Sequence, residues 1–576
     1  MSRHHGAGET LTLFNGAGTP GLQETGNLRS EAIAKTRPDA AVAGSPGWGV
    51  FRSRETPRFG ALEAAVFIVY LALLAWTMAH HVPWVDEAQG WLVARDSSLF
   101  DLFNTRLRYE GSPGLWHLLL WVLCRMHVSF TAMRWIVSIV PAAGIFVFLR
   151  YSPFPAILRI VLPFSFYLGY QYAVISRNYI AAPLLIFICA VLFAKPARNL
   201  VWLAVVLGLL SNLCAQGLVI SAGFAAMIAL RLWREKKAGA GSIRFDRLLA
   251  ACLCLCAFWS VSVWSTRPAS DDIYTPAWRA THLEKKPAAS GAAPATGLST
   301  SQPAENETVT ETKPERHGTL HHAAERFEES VTYGLSNSWL ISLAAWCIVA
   351  VFLVAGKDAI DLLPFLLLQV LFEFVAARPW HFGMVLLALV AVLWIDWPLE
   401  GSSPAPVWRA ILSMLVLVVA GEQCLWTVRA IRTDLTGKYS GDRDAAEFLA
   451  TQIPGKTIAG FQYYSIGILP YFSSNIFENQ PKEAFWNFSK KVDVDAHLAE
   501  TLQKQPDLID VGFAVRPPGS AGSAPIGLPE TFQPKIERDI LATGSYRETH
   551  RFCGDAFSGH GYHEGLCQVI LERQAP

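Results

Sequence analysis

The chain has 576 residues, 52% of them hydrophobic and only 16% charged, with 48 Lys and Arg against 47 Asp and Glu for a net charge of +1. Soluble chains of this size carry about 25% charged residues, so an ordinary cytosolic enzyme and a disordered protein are both excluded. The balanced charge leaves no basic field for a phosphate backbone, which excludes a nucleic-acid binder. The apolar residues come in runs of roughly 17–22, the length that crosses a bilayer, and the chain reads as a polytopic membrane protein.

Residues 1–60 form a Gly- and Ala-rich polar arm that carries Arg29, Lys35, Arg37, Arg52, Arg54 and Arg58. It is expected to be disordered and cytoplasmic, and the first apolar run comes too late for a signal peptide. A transmembrane module follows over 61–428. Its eleven expected spans are 61–80, 131–150, 154–173, 178–194, 200–215, 216–233, 247–264, 339–355, 359–377, 380–397 and 407–428. Short loops rich in Lys and Arg stay in the cytoplasm. That rule puts Arg150, Arg159, Lys195, Arg198, the basic stretch 231–247, Lys357 and Arg409 on the inner side.

The run 115–124 (LWHLLLWVLC) is apolar but about ten residues long, too short to span. Counting it as a span would send Arg231, Arg234, Lys236 and Lys237 to the outer side. It therefore reads as a helix lying in the outer interface, a depth that suits Trp116 and Trp121. The outward segments are then 81–130, 265–337 and everything after 428. The middle of the second is rich in Ala, Ser, Thr, Pro and Glu and reads as a flexible insertion. The third, 429–576, is long enough for one small extracytoplasmic domain. Helical stretches at 443–452 and 494–504 alternate there with β-rich ones at 456–461, 508–514, 546–552 and 566–571, which predicts an α/β or α+β lobe. The fold class is thus a polytopic α-helical membrane protein of about 11 transmembrane helices, with an outer juxtamembrane helix and a C-terminal α/β domain.

Eight of the ten Cys lie in apolar runs. Cys252, Cys254 and Cys256 alternate, so on a helix they point to different faces and do not converge on a metal; they read as small apolar residues. Cys553 and Cys567 stand in the polar C-terminal region and suit a disulfide if that region faces an oxidising compartment. Asn306 and Asn487 begin glycosylation sequons, a short pattern that arises by chance.

Ionisable residues at span ends are costly and informative. Asp86 and Glu87 follow the first span in VPWVDEAQGWLV. Arg177 and Tyr179 open a span in AVISRNYIAAP. Arg378 and His381 join two spans in AARPWHFGM. Taken singly, the acids read as solvated loop residues, the Arg as a snorkelling one and the His as an interfacial one. Together they reach one membrane face, where a carboxylate can take a proton from a hydroxyl and Arg and His can hold a phosphate. Asp271 and Asp272 offer two carboxylates to a divalent cation but have no further ligands beside them.

These residues resemble a family. The Asp-Glu pair after the first span resembles the signature of glycosyltransferases of the GT-C fold, among them protein O-mannosyltransferases and the bacterial enzyme that adds aminoarabinose to lipid A. EGSPGLWHLLLWVL is similar to that family's juxtamembrane helix. FTAMRWIVSIVPAAGIFVFLR resembles the next one, with its early Arg at Arg134. LPFSFYLGYQYAVISRNYIAAPLL resembles the segment that ends in Arg-x-Tyr, and ARPWHFG resembles a late outer-face Arg-His pair, here split by Pro-Trp.

The resemblance implies a polyprenyl-phosphate-linked sugar as donor and a hydroxyl of a lipid, glycan or protein as acceptor, with transfer on the outer face and inversion. Asp86 would be the general base and Glu87 would help to position the acceptor. Arg177, Tyr179, Arg378 and His381 would meet the donor phosphate, and Glu110, His117 and Tyr172 would line the substrate site. No cofactor or metal is implied, since no Asp-x-Asp stands in the first loop. The expected location is the cytoplasmic (inner) membrane of a bacterium, with the N-terminus inside. The rival readings are a transporter or flippase for a lipid-linked or small polar substrate, which predicts paired halves, and an inactive scaffold. No paired halves are visible.

Overall fold

Inside a bilayer a segment must satisfy its own backbone hydrogen bonds, and each of the eleven apolar runs folds as helix over at least part of its length. The computed structural model describes residues 59–239, 244–272, 327–356, 358–374, 378–398, 404–480, 493–515 and 531–574. The N-terminal arm up to 58, most of the 265–337 insertion and both sequons lie outside them. Among the described residues six helices are long and apolar enough to cross a membrane: Ala61–His80, Phe130–Tyr151, Ala215–Lys237, Phe245–Ser265, Pro379–Asp396 and Ala405–Thr436. Leu115–Arg125, Asn178–Leu192, Pro196–Ser211 and Trp339–Ala355 are apolar but shorter.

The largest departure from expectation is the run 154–173. It breaks into a helix Ala156–Val161, a 3-10 turn Leu162–Phe164 and a π-helical turn Tyr167–Gln171. Pro163 brings no N–H to the helical ladder, and Ser165 is extended at ψ 153°, so helix cannot run through. The run 359–377 likewise starts as a 3-10 turn, Ala359–Leu362, before the helix Leu363–Phe374.

Side-chain placement on one long helix is inverted relative to a water-soluble protein. On Phe245–Ser265 the buried residues are Ala251, Ser262 and Ser265, while Phe245, Leu253, Val261, Val263 and Trp264 are exposed. Small residues toward the neighbouring helices and large apolar ones outward is the arrangement of a helix in lipid. The protein is membrane-embedded.

The last long helix does not stop near 428 but runs to Thr436. Its 32 residues extend about 48 Å, beyond a hydrocarbon core of about 30 Å. It leads into a lobe with a four-stranded sheet: β1 (Ile458–Phe461), β2 (Leu508–Val515), β3 (Tyr546–Phe557) and β4 (His563–Arg573). The order is β1-β2-β4-β3, with β1 and β2 parallel and the other pairs antiparallel. Cys553 and Cys567 face each other across β3 and β4 and are disulfide-bonded. One sheet face (Ile509, Val511, Phe513, Val569, Leu571) packs with Val494, Leu498, Ile536 and Ile540 of the helices Val494–Lys504 and Lys535–Ala542. The other face, through Leu508, Leu566 and Ile570, joins the core of the helical bundle.

Candidate functional site

After the first long helix the chain enters a second helix, Val85–Arg95, and Asp86 and Glu87 sit in its first turn, where negative charge complements the helix dipole. Neighbours on a helix point to different sides, and the two acids have different surroundings. Asp86 stays partly exposed. Its Oδ2 lies 2.5 Å from Nη1 of Arg177, and its Oδ1 accepts a 3.2 Å hydrogen bond from the Tyr463 hydroxyl. The Arg177 guanidinium lies over the rings of Trp380 and Tyr179, at 5.6 and 5.9 Å.

Glu87, expected to meet an acceptor, has a fully enclosed carboxylate. It accepts from the Ser176 amide at 2.8 Å and lies 3.2 Å from Nε2 of His81. Nδ1 of His81 lies 3.2 Å from Asp434, which also accepts from the Tyr170 hydroxyl at 2.8 Å. Burial alone would push Glu87 up and His81 down. Their mutual attraction, with Arg134 and the Ser176 amide on Glu87 and Asp434 on His81, reverses both shifts. The two acids thus favour the charged form of the ring that lies between them. Because Ser176 precedes Arg177, Glu87 ties the Arg177 segment to the helix that carries Asp86. Arg134, also buried, donates to the His81 carbonyl at 3.1 Å.

Glu110 and His117 flank the same guanidinium. Glu110 accepts from Gln89 at 2.7 Å and lies 3.8 Å from Nε2 of His117. Burial pushes Glu110 up to about 7 against the pull of Gln89 and Arg177. Burial, with Arg177 adding to it, pushes His117 down to about 4, so that ring is neutral at neutral pH. Asn178 donates to Ser112 at 2.9 Å and fastens the turn after Glu110 to the Arg177 segment.

Tyr179 stacks on Tyr172 with centroids 5.5 Å apart, and its other neighbour is His381 at 5.7 Å. The Tyr172 hydroxyl donates to the Trp380 carbonyl at 2.6 Å. Arg378 donates its backbone N–H to Nδ1 of His381 at 3.0 Å.

Asp86, Glu110, His117, Tyr179 and His381 thus gather around the Arg177 guanidinium, with Tyr172 behind Tyr179 and Glu87 enclosed beneath. Three participants stand outside the candidate site residues read from the sequence. Tyr463 comes from the C-terminal lobe, 377 positions from Asp86. His81 stands five residues before Asp86 and, as a polar residue at a span end, was findable. Asp434 closes a helix and has no local signal. Among the described residues no group of three or more His, Cys, Asp or Glu gathers that could hold a metal, and Asp271 accepts instead from the Tyr109 hydroxyl at 2.7 Å.

A separate charge cluster joins Arg231 to Asp361 and Asp396, the second at 2.5 Å. Asp396 ends the helix Gly383–Asp396, which His381 precedes, so the two groups stand about 21 Å apart along that helix.

The arrangement has a proton acceptor, a cation for an anionic group and aromatic walls that suit a sugar ring. No known protein family matches the chain, and no curated protein matches it.

Proposed function

We propose that the protein is a membrane glycosyltransferase of the GT-C kind that moves a sugar from a polyprenyl-phosphate donor to a hydroxyl acceptor. The observation that carries this reading is the Asp86–Arg177 pair, closed by Tyr463 and ringed by Glu110, His117, Tyr179 and His381.

Asp86 takes the proton of the acceptor hydroxyl as its oxygen attacks the anomeric carbon. The bond from that carbon to the phosphate oxygen breaks on the opposite side, which inverts the centre. The polyprenyl phosphate leaves with added negative charge, and Arg177 meets that charge. Without donor, Asp86 neutralises Arg177. A donor phosphate competes for the guanidinium and releases Asp86 to act as base, so the base becomes active when the donor is seated. His381 and Arg378 flank the phosphate, and Glu87 positions the Arg177 segment.

In this reading the chain crosses the cytoplasmic (inner) membrane of a bacterium eleven times, with the N-terminus inside and residues 429–576 outside. The short apolar helices complete the crossings together with their 3-10 and π-helical extensions. The Cys553–Cys567 bond favours an oxidising compartment for the lobe.

The test is transfer of a labelled sugar from a polyprenyl-phosphate-sugar by the purified protein in detergent. Asp86→Asn is expected to abolish transfer. Arg177→Ala is expected to lower the rate by about 10²–10³, with both variants still inserted in the membrane. Wild-type rates from Asp86→Asn would end the proposal.

A further inference from the structure

The C-terminal lobe encloses a polar layer that the transfer chemistry does not use. Asp442, Ser465, Gln480, Asp510 and Gln568 lie between the sheet and the 3-10 segment Tyr463–Tyr471, none more than 9% exposed. Strand alternation places two of them. Asp510 stands two residues after Leu508 on β2, so it faces the bundle side with Leu508. Gln568 pairs with Gly512 across β2 and β4 and faces the same side, diagonal to Asp510. Gly512 is needed there: a Cβ would stand 2.1 Å from the Ser465 nitrogen and 2.6 Å from Oε1 of Gln568. Its absence lets the 3-10 segment lie against the sheet.

The donors of this layer are spent. Gln568 gives its amide hydrogens to Asp442 and to the Tyr464 carbonyl, both at 2.8 Å. Gln480 gives its own to the Gly460 carbonyl at 2.9 Å and to the Ser465 hydroxyl at 3.4 Å. Both carboxyl oxygens of Asp510 and Oε1 of Gln568 are buried with no hydrogen-bond partner. The charged group that acts on Asp510 is another carboxylate, Asp442. Burial, with that repulsion, raises Asp510 well above the ordinary carboxylate range. Burial also raises Asp442 to about 7 against its hydrogen bonds from Gln568 and Ser440.

Buried polar groups are almost always paired, and two buried carboxyls that feel each other without a counter-charge are costly. A proton on Asp510 would remove one charge and satisfy one neighbouring acceptor, but would leave the remaining acceptor oxygens bare. A hard cation satisfies all of them together, because calcium accepts carboxylate and amide oxygens at about 2.3–2.6 Å in adaptable geometry. We propose that Asp442, Asp510 and Gln568 form the core of a site for one divalent cation of the calcium class, beneath the segment that bears Tyr463. Its remaining ligands are backbone carbonyls or water. The site is independent of the transfer reaction, yet Gln568 also holds the carbonyl of Tyr464, next to the tyrosine that meets Asp86. Cation binding therefore stiffens the segment that delivers Tyr463.

The test uses the full-length protein in detergent, freed of metals with a chelator and titrated with calcium chloride by calorimetry and by thermal unfolding. One saturable calcium per chain and a higher melting temperature are expected, with magnesium weaker. Asp510→Asn keeps nearly the same shape and removes the ionisable group. It is expected to melt higher than the metal-free wild type, to bind calcium at least about tenfold more weakly and to lose the calcium response. Asp442→Asn is expected to weaken binding in the same direction. No saturable calcium binding by the wild type, or unchanged binding by Asp510→Asn, overturns the proposal.

Discussion

Two acids lie near one guanidinium, in different surroundings. Asp86 is partly exposed and paired directly with Arg177, whereas Glu110 is held by Gln89 and raised by burial to about 7. Near neutral pH Glu110 changes charge while Arg177 does not. Below about 7 the protonated Glu110 leaves the field of Arg177 to Asp86 and the donor phosphate; above it a second carboxylate opposes the phosphate. Donor binding is therefore expected to weaken as pH rises through neutrality, and Glu110→Gln is expected to flatten that dependence. The stability effect has the same sign. The folded state holds the Glu110 proton more tightly than the unfolded chain does, so stability falls as pH rises from the ordinary carboxylate range to about 7. Equilibrium binding of a polyprenyl-phosphate-sugar to both proteins across neutral pH measures the first effect. An unchanged slope in Glu110→Gln would assign the dependence to another group.

At the scale of elements, the sheet is built around a cross-strand bond. Cys553 and Cys567 are register partners on β3 and β4, 14 positions apart in sequence. A closed loop of about that length contributes about 3 kcal/mol through the unfolded chain. Replacing both with Ser is expected to lower the stability of the lobe by about 2–4 kcal/mol, read as a loss of denaturant midpoint that reducing agent reproduces in the wild type but not in the variant. The two cysteines were legible because they are polar-region residues in a chain whose other cysteines lie in apolar runs. β-rich stretches marked the four strands, and hydropathy marked eleven runs that are helical over at least part of their length, six of them long enough to span among the described residues. It failed at 154–173, because an average over a window hides single residues. Pro163 and Ser165 break the helix there, in a stretch otherwise as apolar as its neighbours. Asp86 and Arg177 were readable as charges at span ends. Tyr463 was not. It is aimed by Gln462, a non-glycine residue at φ +67° and ψ 162°, in a backbone region that costs about 1–3 kcal/mol and leaves no local sequence pattern.

For the whole molecule the decisive feature is that lobe and bundle share one core. Ile466, Ile468, Leu469, Leu508, Phe557, Leu566 and Ile570 of the lobe belong to the same buried cluster as the bundle residues Tyr70, Phe166 and Trp426. Phe557 meets Phe166 edge-on at 5.9 Å. Polar contacts cross the same boundary: Arg95 donates to the carbonyls of Leu469 and Phe472 at 3.3 and 3.0 Å, and Arg443 donates to that of His81 at 3.2 Å. Asp434, the outer anchor of His81, lies on the helix that joins the two. A lobe tethered only by its linker would keep its inner sheet face polar. This one presents Leu508, Leu566 and Ile570 there, beside the buried Asp510 and Gln568, and all of them are covered. Residues 437–576 produced alone are therefore expected to aggregate or to remain molten, despite the disulfide and the apolar layer under the two outer helices. The full chain in detergent is expected to lose lobe and bundle structure in one transition. A soluble, monomeric fragment with a cooperative melt would make the lobe an independent domain. Tyr463 would then be a docked contact, and the shared core would not be what holds it against Asp86.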